Sequence, residues 1–231
     1  MGTTGALIVA AGNGTRMRSI EKKQFLPLLD KPVLAWTVDV FEQMEDIQEI
    51  VIVVAAEDVA RVKLIGETYH WRKVRHIVPG GSTRQDSVLQ GLDSLSTDWA
   101  LVHDGVRPLV KAEDVQICLA AAKKHGGALL GVPVKDTIKR VTTDGKVKDT
   151  PDRETLWAIH TPQIFQRSRL REGLQRAAKE GWRVTDDASI IERLGDPIIV
   201  IADSERNIKI TTPEDLAIAE MWLRTLEGET K

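Results

Sequence analysis

The sequence holds one cysteine, Cys118. It therefore builds neither an internal disulfide nor a zinc site made of cysteines. It has no apolar stretch near the ~20 residues that a membrane helix needs. Its longest early apolar run, 6–11, is too short for a signal-peptide core, and no basic residue precedes it. These absences lead us to expect a cytoplasmic protein with no membrane partner. Charge of one sign is also lacking: 32 Lys and Arg face 34 Asp and Glu, for a net charge of −2. Binders of a phosphate backbone carry a surplus of cations, so no nucleic-acid partner is expected, although a local basic site stays open. What is present is globular. The 231 residues are 42% apolar and 29% charged, which excludes a disordered chain and supports a core without staples. No repeat, low-complexity stretch or linker divides them, so one domain is expected over 1–231.

Apolar runs at 6–10, 50–54, 74–78, 99–103 and 128–134 read as strands. Between them, 32–44, 57–69, 83–95 and 111–125 carry helical spacing. The strand runs are continuous rather than alternating, which marks strands covered on both faces in a mostly parallel, doubly wound α/β sheet. Cys118 falls in one of the helical runs and reads as a core residue. Ligands of such sheets bind beyond the carboxyl ends of the strands.

The pattern breaks over 135–156, which is polar and holds the hairpin signal Asp144-Gly145. A turn there pairs residues whose numbers sum to 289. That sets Thr137 opposite Asp152, with Arg153 beside it. A lone polar hairpin is marginal in water, so this arm is expected to lie on a partner subunit. Beyond it, 166–179 reads as an amphipathic helix, 186–194 as a short helix capped by Thr185, and 198–201 as a strand. Asn207 to Ile210 alternates like a strand, which puts Asn207 and Lys209 on one face. Thr212 and Pro213 open a last helix.

Four stretches carry chemistry. Ala10-Ala11-Gly12-Asn13-Gly14-Thr15-Arg16-Met17 follows the first strand, and glycines there let backbone amides approach phosphates. Over 1–25 the cations Arg16, Arg18, Lys22 and Lys23 outnumber Glu21 by three. Met17 breaks the dinucleotide fingerprint, and no Gly-Lys-Ser/Thr phosphate loop is present. A plain glycine turn with surface charges remains the alternative. Gly80-Gly81-Ser82-Thr83-Arg84-Gln85-Asp86-Ser87 opens a helix, either as an anion-binding turn or as an ordinary cap. His103-Asp104-Gly105-Val106-Arg107-Pro108 puts an acid and a base at a strand end, where they hold a magnesium-bound phosphate or form a structural ion pair. His103 reads as a packed histidine, since no second His or Cys stands at metal spacing. Lys209, between two isoleucines, is either a site cation or an edge-strand charge.

In this order the stretches resemble the 2-C-methyl-D-erythritol 4-phosphate cytidylyltransferase family. The likeness also rests on Lys23-Gln24, Asp136-Thr137-Ile138-Lys139, Asp152-Arg153, Leu156-Trp157, Thr161-Pro162-Gln163, Thr185-Asp186-Asp187-Ala188-Ser189 and Asn207-Ile208-Lys209. It implies a Rossmann-like nucleotidyltransferase fold with a protruding β-arm that reaches across a homodimer. It implies cytidylyl transfer from CTP to a small phosphorylated polyol with release of pyrophosphate, and a divalent cation, usually Mg2+. By position, the resemblance makes Arg16, Lys23, Arg153 and Lys209 the catalytic cations. Ala10, Ala11, Gly12, Gly14, Gly81, Ser82, Ser87, Asp104 and Gly105 would line the CTP site. Asp104, Arg107, Thr137, Arg153, Thr161, Thr185 and Lys209 would surround the second substrate, with Asp104 also at the metal. Ser82 stands where relatives carry an acidic residue, and Gly105-Val106 replaces a common Ala-Ala pair. The sister ribitol-5-phosphate cytidylyltransferases share the glycine loop, but the arm motif and Thr185-Asp186-Asp187-Ala188-Ser189 resemble the first family.

Overall fold

The structure is a computed structural model that describes residues 2–12 and 21–229. Gly14 and Arg16 lie outside the described residues. The elements run β1 (Thr4–Val9), β2 (Pro27–Leu28), β3 (Lys31–Pro32), α1 (Val33–Gln43), β4 (Glu49–Val54), α2 (Val59–Thr68), β5 (Val74–Pro79), α3 (Arg84–Ser94), β6 (Trp99–Asp104), α4 (Ala112–His125), β7 (Gly127–Pro133), β8 (Arg140–Val141), β9 (Val147–Asp149), β10 (Trp157–Gln166), α5 (Arg167–Glu180), α6 (Ala188–Arg193), β11 (Ile199–Ala202) and α7 (Pro213–Glu229).

Seven strands form one sheet in the order β11-β7-β10-β6-β1-β4-β5. β1 pairs in parallel with both β4 and β6, with Ala6 opposite Ile50 and Leu101. The continuous apolar runs are explained by burial on both faces. Ala6 and Ile8 point into a core with α1, α2 and α4, where Phe41, Val62 and Cys118 lie. Leu7 points into a second core with α3, α5 and α6, where Leu92, Leu174 and Ile190 lie. A third cluster at the end of the sheet joins Leu28, Val33 and Val106 to Ala219 and Leu223 of α7.

Most of the expected elements form within a residue or two of their predicted bounds. One strand goes beyond the sequence pattern. β10 runs antiparallel between β6 and β7, with Gln163 opposite both Val102 and Leu129. Its register shifts between Ile159 and Gln163, around Thr161 and the cis Pro162. A proline and two polar residues hide this strand from a search for apolar runs.

Two local expectations are corrected. Thr185 does not cap α6. Asp187 stands at the cap position without a side-chain cap bond, and the Asp186 carboxylate before it holds the first turn, accepting from Ser189 N at 3.1 Å and Ser189 Oγ at 2.5 Å. The segment 207–210 is not a strand, and Asn207 is buried while Lys209 is exposed. Asn207 turns inward because its side-chain amide donates to Thr161 O at 3.0 Å and to Asp203 Oδ2 at 2.6 Å.

The arm forms as a short hairpin. Arg140 pairs with Asp149, the predicted register, and a shift then sets Val141 opposite Val147. Lys139 Nζ donates to Thr150 Oγ1 at 2.6 Å, which continues that register outward.

Candidate active site

Two neighbouring cavities open beyond the carboxyl ends of β1 and β6. The first, of about 420 Å³, is lined by Ala10, Ala11, Gly12, Gly81, Ser82 and Ser87, with Lys23 and Lys209 contributing cations. The second, of about 400 Å³, is lined by Arg107, Thr161, Thr185, Asp186 and His160. Arg84, Asp104 and Lys209 line both and form the wall between them.

The first cavity is shaped by close backbone approach. A Cβ on Gly81 would stand 2.3 Å from the Asp86 Cβ, and one on Gly105 would stand 2.8 Å from the Ala10 Cβ. Gly105 thus supports the cavity from behind rather than lining it. Gly81 N donates to Ser87 Oγ at 3.2 Å, and Ser87 Oγ donates to Thr83 O at 2.9 Å. Thr83 and Asp86 form a capping box at the start of α3, which fixes this turn. Ser82 Oγ donates to Asp86 Oδ2 at 2.6 Å, so Ser82 is part of the same cap.

The described residues on either side of 13–20 are each held in place. The buried Gln24 side chain donates to Ala10 O at 2.9 Å and Gly12 O at 3.3 Å. On the far side, Lys22 pairs with Glu57 at 2.7 Å and Asp58 at 2.6 Å, and Arg61 pairs with Glu21 at 2.9 Å. Part of the basic excess read from the sequence is therefore an anchor. Among the described cations of that stretch, Lys23 faces the cavity, with Nζ donating to Ile210 O at 3.2 Å.

Between the cavities, Lys209 Nζ lies 2.9 Å from Asp104 Oδ2, and Arg107 Nε lies 3.5 Å from the same oxygen. Burial acts to raise the Asp104 carboxyl, but Lys209, Arg84 and Arg107 overcome it and hold it at about 2. Arg107 is buried, which lowers its guanidinium from the usual value, and its Nη1 donates to Asn207 O at 2.6 Å. Arg84 forms a two-pronged pair with Asp187 at 2.9 and 2.6 Å, joining α3 to the start of α6.

His103 is the packed histidine that the sequence suggests. Its ring bridges Arg107 O at 3.2 Å and Thr161 Oγ1 at 3.1 Å, and Thr161 Oγ1 accepts from Asp104 N at 3.0 Å. Burial drives His103 down to about 4, so at neutral pH it works as a neutral strut. Cys118 is buried too, and burial pushes its thiol up to about 12.

Most of the site residues expected from the sequence line one of the two cavities. Thr137 and Arg153 do not: both sit on the exposed arm, where Arg153 Nη1 donates to Lys135 O at 2.8 Å. Arg84, Gln24, Gln163 and Asp186 were legible only as motif letters, and His160 carried no signal at all. No helix among the described residues is long and apolar enough to cross a membrane.

A family model described as "IspD: 2-C-methyl-D-erythritol 4-phosphate cytidylyltransferase" matches residues 4–225. The chain is 44% identical over 227 residues to the enzyme of that name from Desulforamulus reducens, covering 97% of each chain. It is 45% identical over 224 residues to the one from Syntrophotalea carbinolica, covering 95% of each. Among solved structures, it superimposes on 4-diphosphocytidyl-2C-methyl-D-erythritol synthase from Anaerococcus prevotii with a TM-score of 0.85, at 32% identity and 96% coverage of both chains. The corresponding Thermus thermophilus enzyme gives 0.78 at 28% identity, covering 94% of this chain and 98% of that one. These matches favour this family over the ribitol-phosphate sister group. The chain belongs to the 2-C-methyl-D-erythritol 4-phosphate cytidylyltransferase family.

Proposed function

We propose that the chain transfers a cytidylyl group from CTP to 2-C-methyl-D-erythritol 4-phosphate, giving 4-diphosphocytidyl-2-C-methyl-D-erythritol and pyrophosphate. The observation that carries the reading is the shared wall: Arg84, Asp104 and Lys209 face both cavities, so two anionic substrates can meet there. CTP takes the glycine-lined cavity, and the polyol phosphate takes the one bounded by Arg107, Thr161 and Thr185.

An oxygen of the polyol phosphate attacks the α-phosphorus of CTP in line. The new P–O bond forms as the bond to the β-phosphate breaks, and pyrophosphate leaves with that electron pair. A phosphate monoester is already ionised near neutral pH, so no general base is required. The difficulty is repulsion between two anions and charge growing on the leaving group. Preorganised cations and backbone amides answer it. In this reading Lys23 faces the triphosphate with Arg16, and Lys209 holds the attacking phosphate with Arg153 from the arm of a second copy. Thr137 reaches the same neighbouring pocket.

Asp104 is the carboxylate facing the triphosphate cavity. Among the described residues no cluster of three or more His, Cys, Asp or Glu forms a metal cage. One carboxylate plus substrate phosphates is a donor set that suits Mg2+. Asp104 would hold it, and the ion would supply further neutralisation of phosphate charge. A homodimer joined through the 135–156 arm and a cytoplasmic location belong to the same reading. Pyrophosphate release with CTP against methylerythritol phosphate, ribitol 5-phosphate and buffer tests it. Release only with methylerythritol phosphate is expected, and its absence there would overturn the assignment.

A further inference from the structure

His160 lies on β10 beside Thr161, and it lines the second cavity. Its Nδ1 is 2.8 Å from Asp203 Oδ2. The Asp203 side chain is fully buried and that of His160 is 14% exposed. Asp203 is itself locked in place. Its Oδ2 also accepts from Asn207 Nδ2 at 2.6 Å, and its Oδ1 accepts from Ser204 N at 2.7 Å. An ionised carboxylate only accepts, so His160 donates from Nδ1 to it. In the neutral ring this fixes the tautomer and leaves the Nε2 lone pair on the ring edge away from Asp203.

Most of the cavity's other side-chain acceptors are already engaged, Asp104 Oδ2 among them, by Lys209 at 2.9 Å. Arg107 and Lys209 only donate. Thr161 Oγ1 is already engaged by His103 and Asp104 N. Asp186 is used by Ser189 through one oxygen and by Gln163 through the other. Glu192 is exposed at the rim. A polyol phosphate brings hydroxyl protons as well as a phosphate, and each hydroxyl buried without an acceptor costs binding energy.

We propose that His160 is a substrate-binding residue that sets specificity for the polyol: its Nε2, aimed by Asp203, accepts a hydrogen bond from a hydroxyl of the second substrate. This rests on the proposed activity and goes beyond it by naming a contact to the uncharged part of that substrate. The phosphate is held by the cations, whereas the pattern of hydroxyls is read by His160. Asp203 serves as a positioning residue, because it also ties down Asn207 and through it the segment bearing Lys209.

Steady-state kinetics of wild type, His160→Leu and His160→Gln test this. His160→Leu should raise the KM for methylerythritol phosphate about tenfold, the scale of one lost hydrogen bond, with the KM for CTP unchanged. His160→Gln offers an amide to Asp203 and a carbonyl to the hydroxyl, and should recover most of the loss. With substrate analogues that each lack one hydroxyl, one analogue should be penalised in wild type but not further in His160→Leu. An unchanged polyol KM in His160→Leu would overturn the proposal. So would an equal shift in both KM values, which would mean a structural role. Wild type that fails to release pyrophosphate from CTP and methylerythritol phosphate would instead sink the underlying activity, while active wild type with an indifferent His160→Leu sinks this inference alone.

Discussion

Lys209 Nζ stands 2.9 Å from Asp104 Oδ2, at the point where the two cavities touch. Asp104 is nearly buried whereas Lys209 is 40% exposed, so the ammonium is open to a phosphate in either cavity while the carboxylate behind it is enclosed. Lys209→Gln removes a preorganised charge from the reacting centre. It should lower kcat/KM on the order of 10²–10³-fold in a pyrophosphate-release assay. The same variant should raise the Asp104 carboxyl from about 2, because Lys209 is the leading charge that opposes burial there. A depressed carboxyl contributes stability above its unfolded value of 3.8 and loses it as pH falls toward about 2. Acid unfolding of Lys209→Gln should therefore begin at higher pH, and carboxyl NMR of Asp104 reads the shift directly.

Lys23 gives a second test of the charge argument. It enters the first cavity, the one proposed for CTP, next to the Gln24 clamp on Ala10 O and Gly12 O. Lys23→Ala should lower turnover on the order of 10²–10³-fold, with folding intact by circular dichroism. Turnover near that of wild type would remove Lys23 from the mechanism.

His103 predicts how stability depends on pH. Its folded value of about 4 lies below its usual 6.5, with burial as the main cause. Below pH 6.5 the unfolded chain takes up a proton that the folded chain refuses. Stability should thus be full above 6.5 and fall as pH drops toward about 4, by up to ~1.4 kcal/mol per pH unit from this group. Urea unfolding across that range measures the slope. His103→Gln should flatten it, while weakening the link between Arg107 O and Thr161 at every pH.

Much of the frame was readable because its causes are local. β1, β4 and β6 are unbroken apolar runs, since both of their faces are buried. The ends of α3 and α7 carry their caps in adjacent residues. The rest depends on partners far along the chain. β10 contains Thr161, Pro162 and Gln163, which look like loop residues until Asp104 N, His103 and Ala188 N supply their bonds. Asn207 looks like a surface residue on an alternating strand until the buried Asp203 and Thr161 O claim its amide. The site was legible as motifs, yet its two-cavity geometry was not. Arg84 became a shared wall only when α3 and α6 met, and His160 stands next to the Thr161-Pro162-Gln163 motif without being part of it. Its role depends on Asp203, which lies beyond two further helices.

The arm carries the remaining prediction. Val141 is 59% exposed and Val147 62%, and they stand opposite each other on the hairpin; Ile138, Trp157 and Ile159 are exposed as well. Polar hairpins seldom display this much apolar surface to water without a partner, and two strands alone are marginal. A second copy would cover these residues and would receive Arg153 and Thr137 at its own second cavity. Sedimentation should therefore show a dimer at micromolar concentration. Val141→Lys with Val147→Lys should shift it toward monomer and lower activity in proportion, although neither residue lines either cavity. Mixing an Arg153→Ala chain with a Lys209→Ala chain sharpens the point. If the arm completes the neighbour's site, mixed dimers regain one intact site, so activity should rise above that of either variant alone. No recovery on mixing, or full activity in a monomer, would return Arg153 to its own chain and leave the arm as an ornament of the fold.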